Sequence, residues 1–177
     1  MNELFKRILS SIVLIPTTLF FIVEGSYVFN IFIFICMLVV FYEWNKMTKE
    51  KKSNIFGFLF IIFSFYSIYT IRDNENYGYF YVILIILICI LTDIGGYSFG
   101  KIFKGPKLIR ISPKKTYSGM IGSYLLSIIF VPIIFVYLQI FFKPIDINFN
   151  FFLFIFLIST SSQLGDIIIS FFKRQSN

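Results

Sequence analysis

The chain has 177 residues, of which 58% are hydrophobic and 21% aromatic, whereas only 14% are charged and none is His. This composition excludes an ordinary soluble domain and a disordered chain, and it argues against a nucleic-acid-binding protein. The net charge of +7 is typical of a membrane protein whose cytoplasmic loops collect Lys and Arg. Because His is missing, His-based acid/base catalysis and His metal sites are excluded, which leaves oxygen ligands and hard metal ions.

Six apolar runs are candidate membrane-spanning helices. In chain order they are residues 8–23, 27–42, 55–71, 77–92, 120–142 and 149–169. These runs lack the alternation of membrane β-strands, and in lipid a helix satisfies every backbone group internally. No convincing cleavage site follows the first run, which favours a retained helix over a secretory signal. We therefore predict an all-α fold: a polytopic integral membrane helical bundle of about six helices, formed as a single domain over residues 1–177.

The basic residues predict the orientation of this bundle. When the six runs alternate across the membrane, 14 of the 16 Lys and Arg residues lie on one side, and only Arg72 and Lys143 lie on the other. The positive-inside rule assigns the basic side to the cytoplasm, so the N-terminus and the C-terminus are both predicted to be cytoplasmic. A Gly/Lys-rich cytoplasmic loop over residues 95–119 contributes six of these basic residues.

Two carboxylates lie in or beside apolar runs, where a charge is costly and is usually functional. Asp93 follows the fourth run, and Asp166 lies in the sixth. Helical spacing places Asp166 on one stripe with other polar residues, namely Ser159, Ser162 or Gln163, Ser170 and Lys173. Such a stripe suits a hard cation with phosphate oxygens. The alternative is a polar seam for helix packing, in which Asp166 is neutralised by an internal salt bridge.

The loop over residues 95–119 has the features of a phosphate-binding segment. Its glycines let backbone N–H groups approach anionic oxygens, and charged and hydroxyl side chains follow at Ser112, Lys114, Lys115 and Thr116. The alternative is a basic loop that contacts anionic lipid headgroups. Part of a Walker A motif is present, but Ile102 stands where that motif needs Ser or Thr. The spacing of Gly96 and Gly100 is equally typical of helix packing.

Two segments resemble the bacterial phosphatidate cytidylyltransferase family, also called CDP-diacylglycerol synthases. Residues 92–101, TDIGGYSFGK, and 111–119, ISPKKTYSG, are similar to the family's D-x-x-A-Y-x-x-G-[KR] and S-P-K-K-T-x-E-G motifs. Gly96 stands in place of the Ala and Ser118 in place of the Glu. Residues 162–174, SQLGDIIISFFKR, are similar to its Q-x-G-D motif and to the S-x-x-K-R that opens its signature.

The resemblance implies transfer of a cytidylyl group from CTP to phosphatidic acid, with Mg²⁺ as cofactor and pyrophosphate as leaving group. It implies a multi-pass protein of the cell inner membrane whose active face is cytoplasmic and whose partners are the two substrates and the lipid bilayer. The implied metal ligand is Asp166. The implied catalytic residues are Asp166, Lys173 and Arg174, and the implied substrate-binding residues are Ser112, Lys114, Lys115, Thr116, Ser170 and Asp93.

The family signature continues after S-x-x-K-R into a segment with further aspartates, whereas this sequence stops at Asn177. The expectation is therefore that the family's C-terminal metal-binding segment is absent and that the chain alone has weak activity or none. A homodimer or a complementing C-terminal chain is a further expected partner. Two alternatives stay open: a membrane transporter or channel in which Asp93 and Asp166 line a cation path, and an inactive truncated copy.

Overall fold

The computed structural model describes residues 3–48, 54–73, 78–109, 112–138 and 146–175, with their side chains except at 3–10, 54, 109, 112–114, 138, 173 and 175. These ranges hold six α-helices and two β-strands. In chain order they are α1 (Glu3–Glu24), α2 (Ser26–Thr48), α3 (Asn54–Arg72), α4 (Gly78–Phe103), β1 (Lys107–Ile109), β2 (Ser112–Thr116), α5 (Tyr117–Leu138) and α6 (Phe149–Gln175). The strands pair antiparallel, with Lys107 opposite Thr116.

The surface of the helices is that of a membrane protein. Within the described ranges, five helices are long and apolar enough to cross a membrane, and α1 adds the shorter apolar segment Ser11–Glu24. Large apolar side chains are widely exposed: in α3, Phe56, Phe60 and Phe63 are 76%, 71% and 70% exposed. A contiguous surface of this kind is unfavourable in water, whereas lipid tails accept it. The prediction of a polytopic helical membrane protein is confirmed.

The helices extend beyond the apolar runs that predicted them. The largest difference is in α4, which continues past Thr92 to Phe103, so residues 95–103 of the predicted loop are helical. The described remainder of that segment forms the β1–β2 hairpin and the first residues of α5. The sequence prediction placed the end of this helix at Thr92, where the apolar run ends. Helical hydrogen bonding does not require apolar side chains, and residues 95–100 stay helical while α4 packs against α5.

The contacts between residues divide the chain into two compact units, residues 1–83 and 84–177, with the boundary inside α4. The single membrane domain expected over residues 1–177 stays a prediction. Within each unit, helices adjacent in sequence pack together: α1 with α2 and α2 with α3 in the first, α5 with α6 in the second. Short connections favour such packing, but an apolar composition alone does not indicate which runs pack against each other.

In the first unit, Arg72 at the end of α3 holds the turn between α1 and α2. Its Nε donates to the carbonyl oxygen of Ile22 at 2.7 Å, and its Nη2 donates to that of Val23 at 3.1 Å. A cation in this position satisfies carbonyl groups that the end of α1 leaves without helical partners. Gly25, in the turn, has a φ of +66°, a conformation that favours glycine.

In the second unit, buried hydroxyl groups connect α4, α5 and α6. The Thr92 hydroxyl donates to the Ser159 hydroxyl at 3.0 Å, and the Ser123 hydroxyl donates to the carbonyl oxygen of Thr92 at 2.7 Å. All three residues are buried, and their mutual hydrogen bonds offset the cost of removing them from water. The adjacent core is apolar and includes the fully buried Ile88 and Ile155. Thr92, which belongs to this polar layer, immediately precedes Asp93 in α4.

The close approach of α4 to α5 depends on Gly95. A Cβ atom at Gly95 would lie 2.5 Å from the carbonyl oxygen of Gly122 and 2.9 Å from the Cα of Ser123. Both are backbone atoms, so they cannot move aside as a flexible side chain would. Side chains at Gly96 and Gly100 would also meet polar atoms of the neighbouring segment. These contacts favour the helix-packing interpretation of the Gly96–Gly100 spacing.

We expect Gly95→Ala to destabilise the second unit by about 1–3 kcal/mol, because the added methyl group forces the two helices apart. The measurement is the midpoint of thermal unfolding in detergent. Unfolding is monitored by labelling of the half-buried Cys89 thiol in a Cys36→Ser background. Gly165→Ala in α6 is the matched control, because no atom of the described residues, its own stretch of helix apart, lies within 4 Å of the added Cβ. An equal midpoint for Gly95→Ala and Gly165→Ala would contradict the packing argument.

Candidate functional site

The second unit contains a cavity of about 240 Å³ where α4, the hairpin, α5 and α6 meet. Its charged lining residues are Asp93 from α4, Lys115 from β2 and Asp166 from α6. The uncharged polar side chains of the lining are those of Thr92, Tyr97, Thr116, Ser123 and Gln163. Three distant parts of the sequence therefore bring two carboxylates and an amine into one space.

Lys115 and Asp166 form a direct ion pair. Lys115 Nζ donates to Asp166 Oδ2 at 2.9 Å and to the backbone carbonyl oxygen of Gln163 at 3.4 Å. Asp93 interacts electrostatically with both members of the pair. The Asp166 side chain is 55% exposed and that of Lys115 is 26% exposed, so the fold does not enclose the pair. Both groups can therefore exchange this contact for a cation and an anion.

The N-terminus of α5 faces the same cavity. Thr116 caps this helix, since its Oγ1 accepts a hydrogen bond from the backbone N–H of Gly119 at 3.1 Å. The backbone N–H of Tyr117 donates to the carbonyl oxygen of Pro106 at 3.1 Å, which holds the start of α5 against the segment that precedes β1. A helix N-terminus carries partial positive charge, and Lys115 adds a full charge beside it. This side of the cavity is therefore suited to anionic oxygens.

The opposite charge in the cavity suits a hard cation. Asp93 and Asp166 both line it, and carboxylate oxygens are ligands that Mg²⁺ prefers. Among the residues that the structure describes, there is no cluster of three His, Cys, Asp or Glu side chains. Mg²⁺ is commonly held by one or two carboxylates together with substrate phosphates and water, so two carboxylates fit a metal ion shared with phosphate.

The predicted site residues divide into three groups. Those that the structure brings together at the cavity are Asp93, Lys115, Thr116 and Asp166. Two others are not among the described lining residues: the Ser170 hydroxyl donates to the carbonyl oxygen of Asp166 within α6 at 2.7 Å, and Arg174 is exposed. The side chains of Ser112, Lys114 and Lys173 lie outside the described residues, so their roles stay predictions.

Several lining residues were not predicted as site residues. They include Tyr97 in α4, Ser123 in α5 and Gln163 in α6. Helical spacing contains a signal for some of them, because Tyr97 lies four residues after Asp93 and Gln163 three residues before Asp166. Ser123 carries no comparable signal, since a single Ser in an apolar run is also typical of helix packing.

Comparisons with known proteins place this geometry in context. The model of the "Cytidylyltransferase family" matches residues 5–72 and, in an overlapping match, residues 54–177. A protein named phosphatidate cytidylyltransferase from Rickettsia conorii is 28% identical over 188 residues, which cover 99% of this chain and 78% of that protein. One of the same name from Staphylococcus haemolyticus is 30% identical over 183 residues, covering 97% and 65%. No solved structure gives a significant match.

Proposed function

Because the chain belongs to the cytidylyltransferase family, we propose that it transfers a cytidylyl group from CTP to phosphatidic acid. The products are CDP-diacylglycerol and pyrophosphate, and the reaction belongs to phospholipid biosynthesis. The observation that carries the proposal is the cavity in which Lys115, the N-terminus of α5 and two carboxylates meet. Relatives that are 28% and 30% identical to the chain over the aligned residues are named for this activity.

The proposed reaction joins two anions. A phosphate oxygen of phosphatidic acid attacks the α-phosphorus of CTP, the bond from that phosphorus to the bridging oxygen breaks, and pyrophosphate leaves with the electron pair. The barrier comes largely from charge repulsion, so positioning and positive charge supply most of the catalysis. Lys115 and the α5 N-terminus bind phosphate oxygens in this proposal. The remaining phosphate-binding and orienting groups are Ser112, Lys114, Thr116, Ser170, Lys173 and Arg174.

Asp166, with Asp93 beside it, is the proposed holder of Mg²⁺. When bound, Mg²⁺ supplies positive charge that screens the repulsion between phosphates and neutralises the developing pyrophosphate. The two carboxylates share the cavity with Lys115. The carboxylates suit a metal ion, and the amine suits the phosphates.

The proposal includes a location and a further partner. The basic side of the bundle, which carries the cavity residue Lys115, is proposed to face the cytoplasm, with the protein in the cell inner membrane. Among the described residues the cavity has two acidic side chains, and a third ligand from another chain would strengthen metal binding. The proposed partner is therefore a second copy of this chain or a complementing chain. The mass of the detergent-extracted native protein distinguishes the two.

We expect the protein, isolated in detergent from its own membranes, to convert radiolabelled CTP and phosphatidic acid into a labelled lipid. Thin-layer chromatography would identify that lipid as CDP-diacylglycerol. Removing divalent cations with EDTA should abolish the product, and adding Mg²⁺ should restore it.

The controls separate this enzyme from a transporter. UTP in place of CTP controls for the nucleotide, and cation flux in protein-containing liposomes is measured without any nucleotide. Flux together with no labelled lipid would contradict the proposed function and favour the transporter alternative.

A further inference from the structure

The side chain of Gln163 is an unexplained feature of the cavity. Its Nε2 is buried, and it has no hydrogen-bond partner among the residues that the structure describes. Buried donors in proteins are nearly always paired, because an unpaired donor loses its hydrogen bonds to water without replacement. The backbone of the same residue is engaged, since its carbonyl oxygen accepts from Lys115 Nζ at 3.4 Å. The side-chain Nε2 is therefore a donor that the described part of the fold leaves unused.

The position of Gln163 along α6 places this residue between a buried end and an open end of the helix face that lines the cavity. Ser159, one turn earlier, is fully buried and hydrogen-bonded to Thr92, whereas the Asp166 side chain, one turn later, is 55% exposed. Gln163 lies between these two residues and lines the cavity. Rotation of its terminal amide group is soft, so Nε2 can turn toward a ligand without movement of the helix.

The surroundings indicate which acceptor this donor matches. Lys115 and the N-terminus of α5 line the same cavity and make that side positive, which favours an anionic oxygen over a neutral carbonyl oxygen. Once turned toward the cavity, Nε2 of Gln163 adds a further N–H donor to this positive side. A phosphate oxygen is the acceptor that fits these donors.

We propose that Gln163 is a substrate-binding residue whose Nε2 donates a hydrogen bond to a phosphate oxygen of the bound substrate. This inference rests on the proposed function and extends it to a residue to which the sequence analysis assigned no role in substrate binding. The phosphate belongs either to the nucleotide or to the lipid. Both sources offer the same chemistry, so separate measurements with each substrate distinguish them.

The test is Gln163→Met, which keeps the length of the side chain and removes both N–H donors. We expect its affinity for one phosphate substrate to fall about 10- to 100-fold, the effect of losing a hydrogen bond to a charged group. We expect its unfolding temperature without substrate to stay equal or to rise, because the variant removes a buried donor that has no partner. If Gln163 instead made a purely structural hydrogen bond, the loss of that bond would lower the unfolding temperature.

The measurements use the protein isolated from its own membranes. Equilibrium binding of radiolabelled CTP, without phosphatidic acid, reports on the nucleotide, and the KM for phosphatidic acid at saturating CTP reports on the lipid. Gln163→Glu replaces the donors by a negative charge, so it should weaken the binding of the same substrate further. Ser161→Ala is the control, because the exposed Ser161 hydroxyl bonds to the carbonyl oxygen of Leu157 on its own helix.

The outcomes separate this inference from the proposed function. Weaker binding of CTP alone assigns Gln163 to the nucleotide, and a raised KM for phosphatidic acid alone assigns it to the lipid. If the unsubstituted protein uses both substrates and Gln163→Met leaves both values unchanged, the inference is overturned and the proposed function stands. If the unsubstituted protein neither binds CTP nor forms product, both are overturned.

Discussion

Asp166→Asn is expected to lower the rate of cytidylyl transfer at least about 10²-fold at saturating substrates, because it removes a full charge from the group proposed to hold Mg²⁺. The amide keeps nearly the same shape, so the cavity should be preserved. The midpoint of thermal unfolding in detergent is measured alongside, so that a loss of rate is distinguished from a loss of fold. The assay is formation of labelled CDP-diacylglycerol over a series of Mg²⁺ concentrations.

Asp146→Asn is the matched control for this substitution. Asp146 precedes α6, is exposed and is not among the described residues that line the cavity. It makes the same chemical change with the same effect on net charge. Wild-type activity in Asp166→Asn, or an equal loss in Asp146→Asn, would remove Asp166 from the proposed metal site.

Lys115→Met is expected to act on binding as well as on rate. Its amine is the cation that faces both Asp93 and Asp166, and the proposal assigns it to a phosphate of the substrate. Loss of a charge-assisted hydrogen bond to phosphate should raise the Kd for CTP about 10- to 100-fold. The remaining two carboxylates would also repel the incoming phosphates. Equilibrium binding of radiolabelled CTP measures the first effect, and the rate at saturating CTP measures any effect on turnover.

Lys107→Met is the control for this second variant. Lys107 is exposed on the same hairpin and is not among the described lining residues. Its substitution therefore removes the same charge outside the cavity. Equal losses of CTP affinity in the two variants would mean that general electrostatic attraction, and not a direct contact, explains the role of Lys115. Lys115→Arg should recover part of the affinity, because the positive charge is retained on a group of different geometry.

The two substitutions test whether Lys115 and Asp166 act together. If both groups hold parts of one phosphate–metal assembly, the double variant should be little worse than the more damaging single variant. Independent roles would instead give losses that multiply. The comparison requires only the rates of four proteins under one set of conditions.

Part of the site could be predicted from the sequence because some of its residues are unusual for the segments in which they lie. A carboxylate in an apolar run, such as Asp166, is unusual enough to indicate function, and the lysines of the hairpin segment are rare groups with a clear affinity for phosphate. Ser170 shows the weakness of such reasoning. Its spacing places it on the same face as Asp166, but its hydroxyl donates to the backbone of its own helix, as Ser commonly does within membrane helices.

The sequence by itself determined that this chain forms apolar helices that cross a membrane. Lipid offers no water to the backbone groups of a long apolar run, and a helix satisfies those groups internally. It also determined that Gln163 and Asp166 lie one helical turn apart. Only the tertiary structure decided that α4 continues to Phe103, that Gly95 lets it approach α5, and that Asp93 then shares a cavity with Lys115 and Asp166. Such meetings depend on packing between residues far apart in sequence, which local composition and periodicity do not encode.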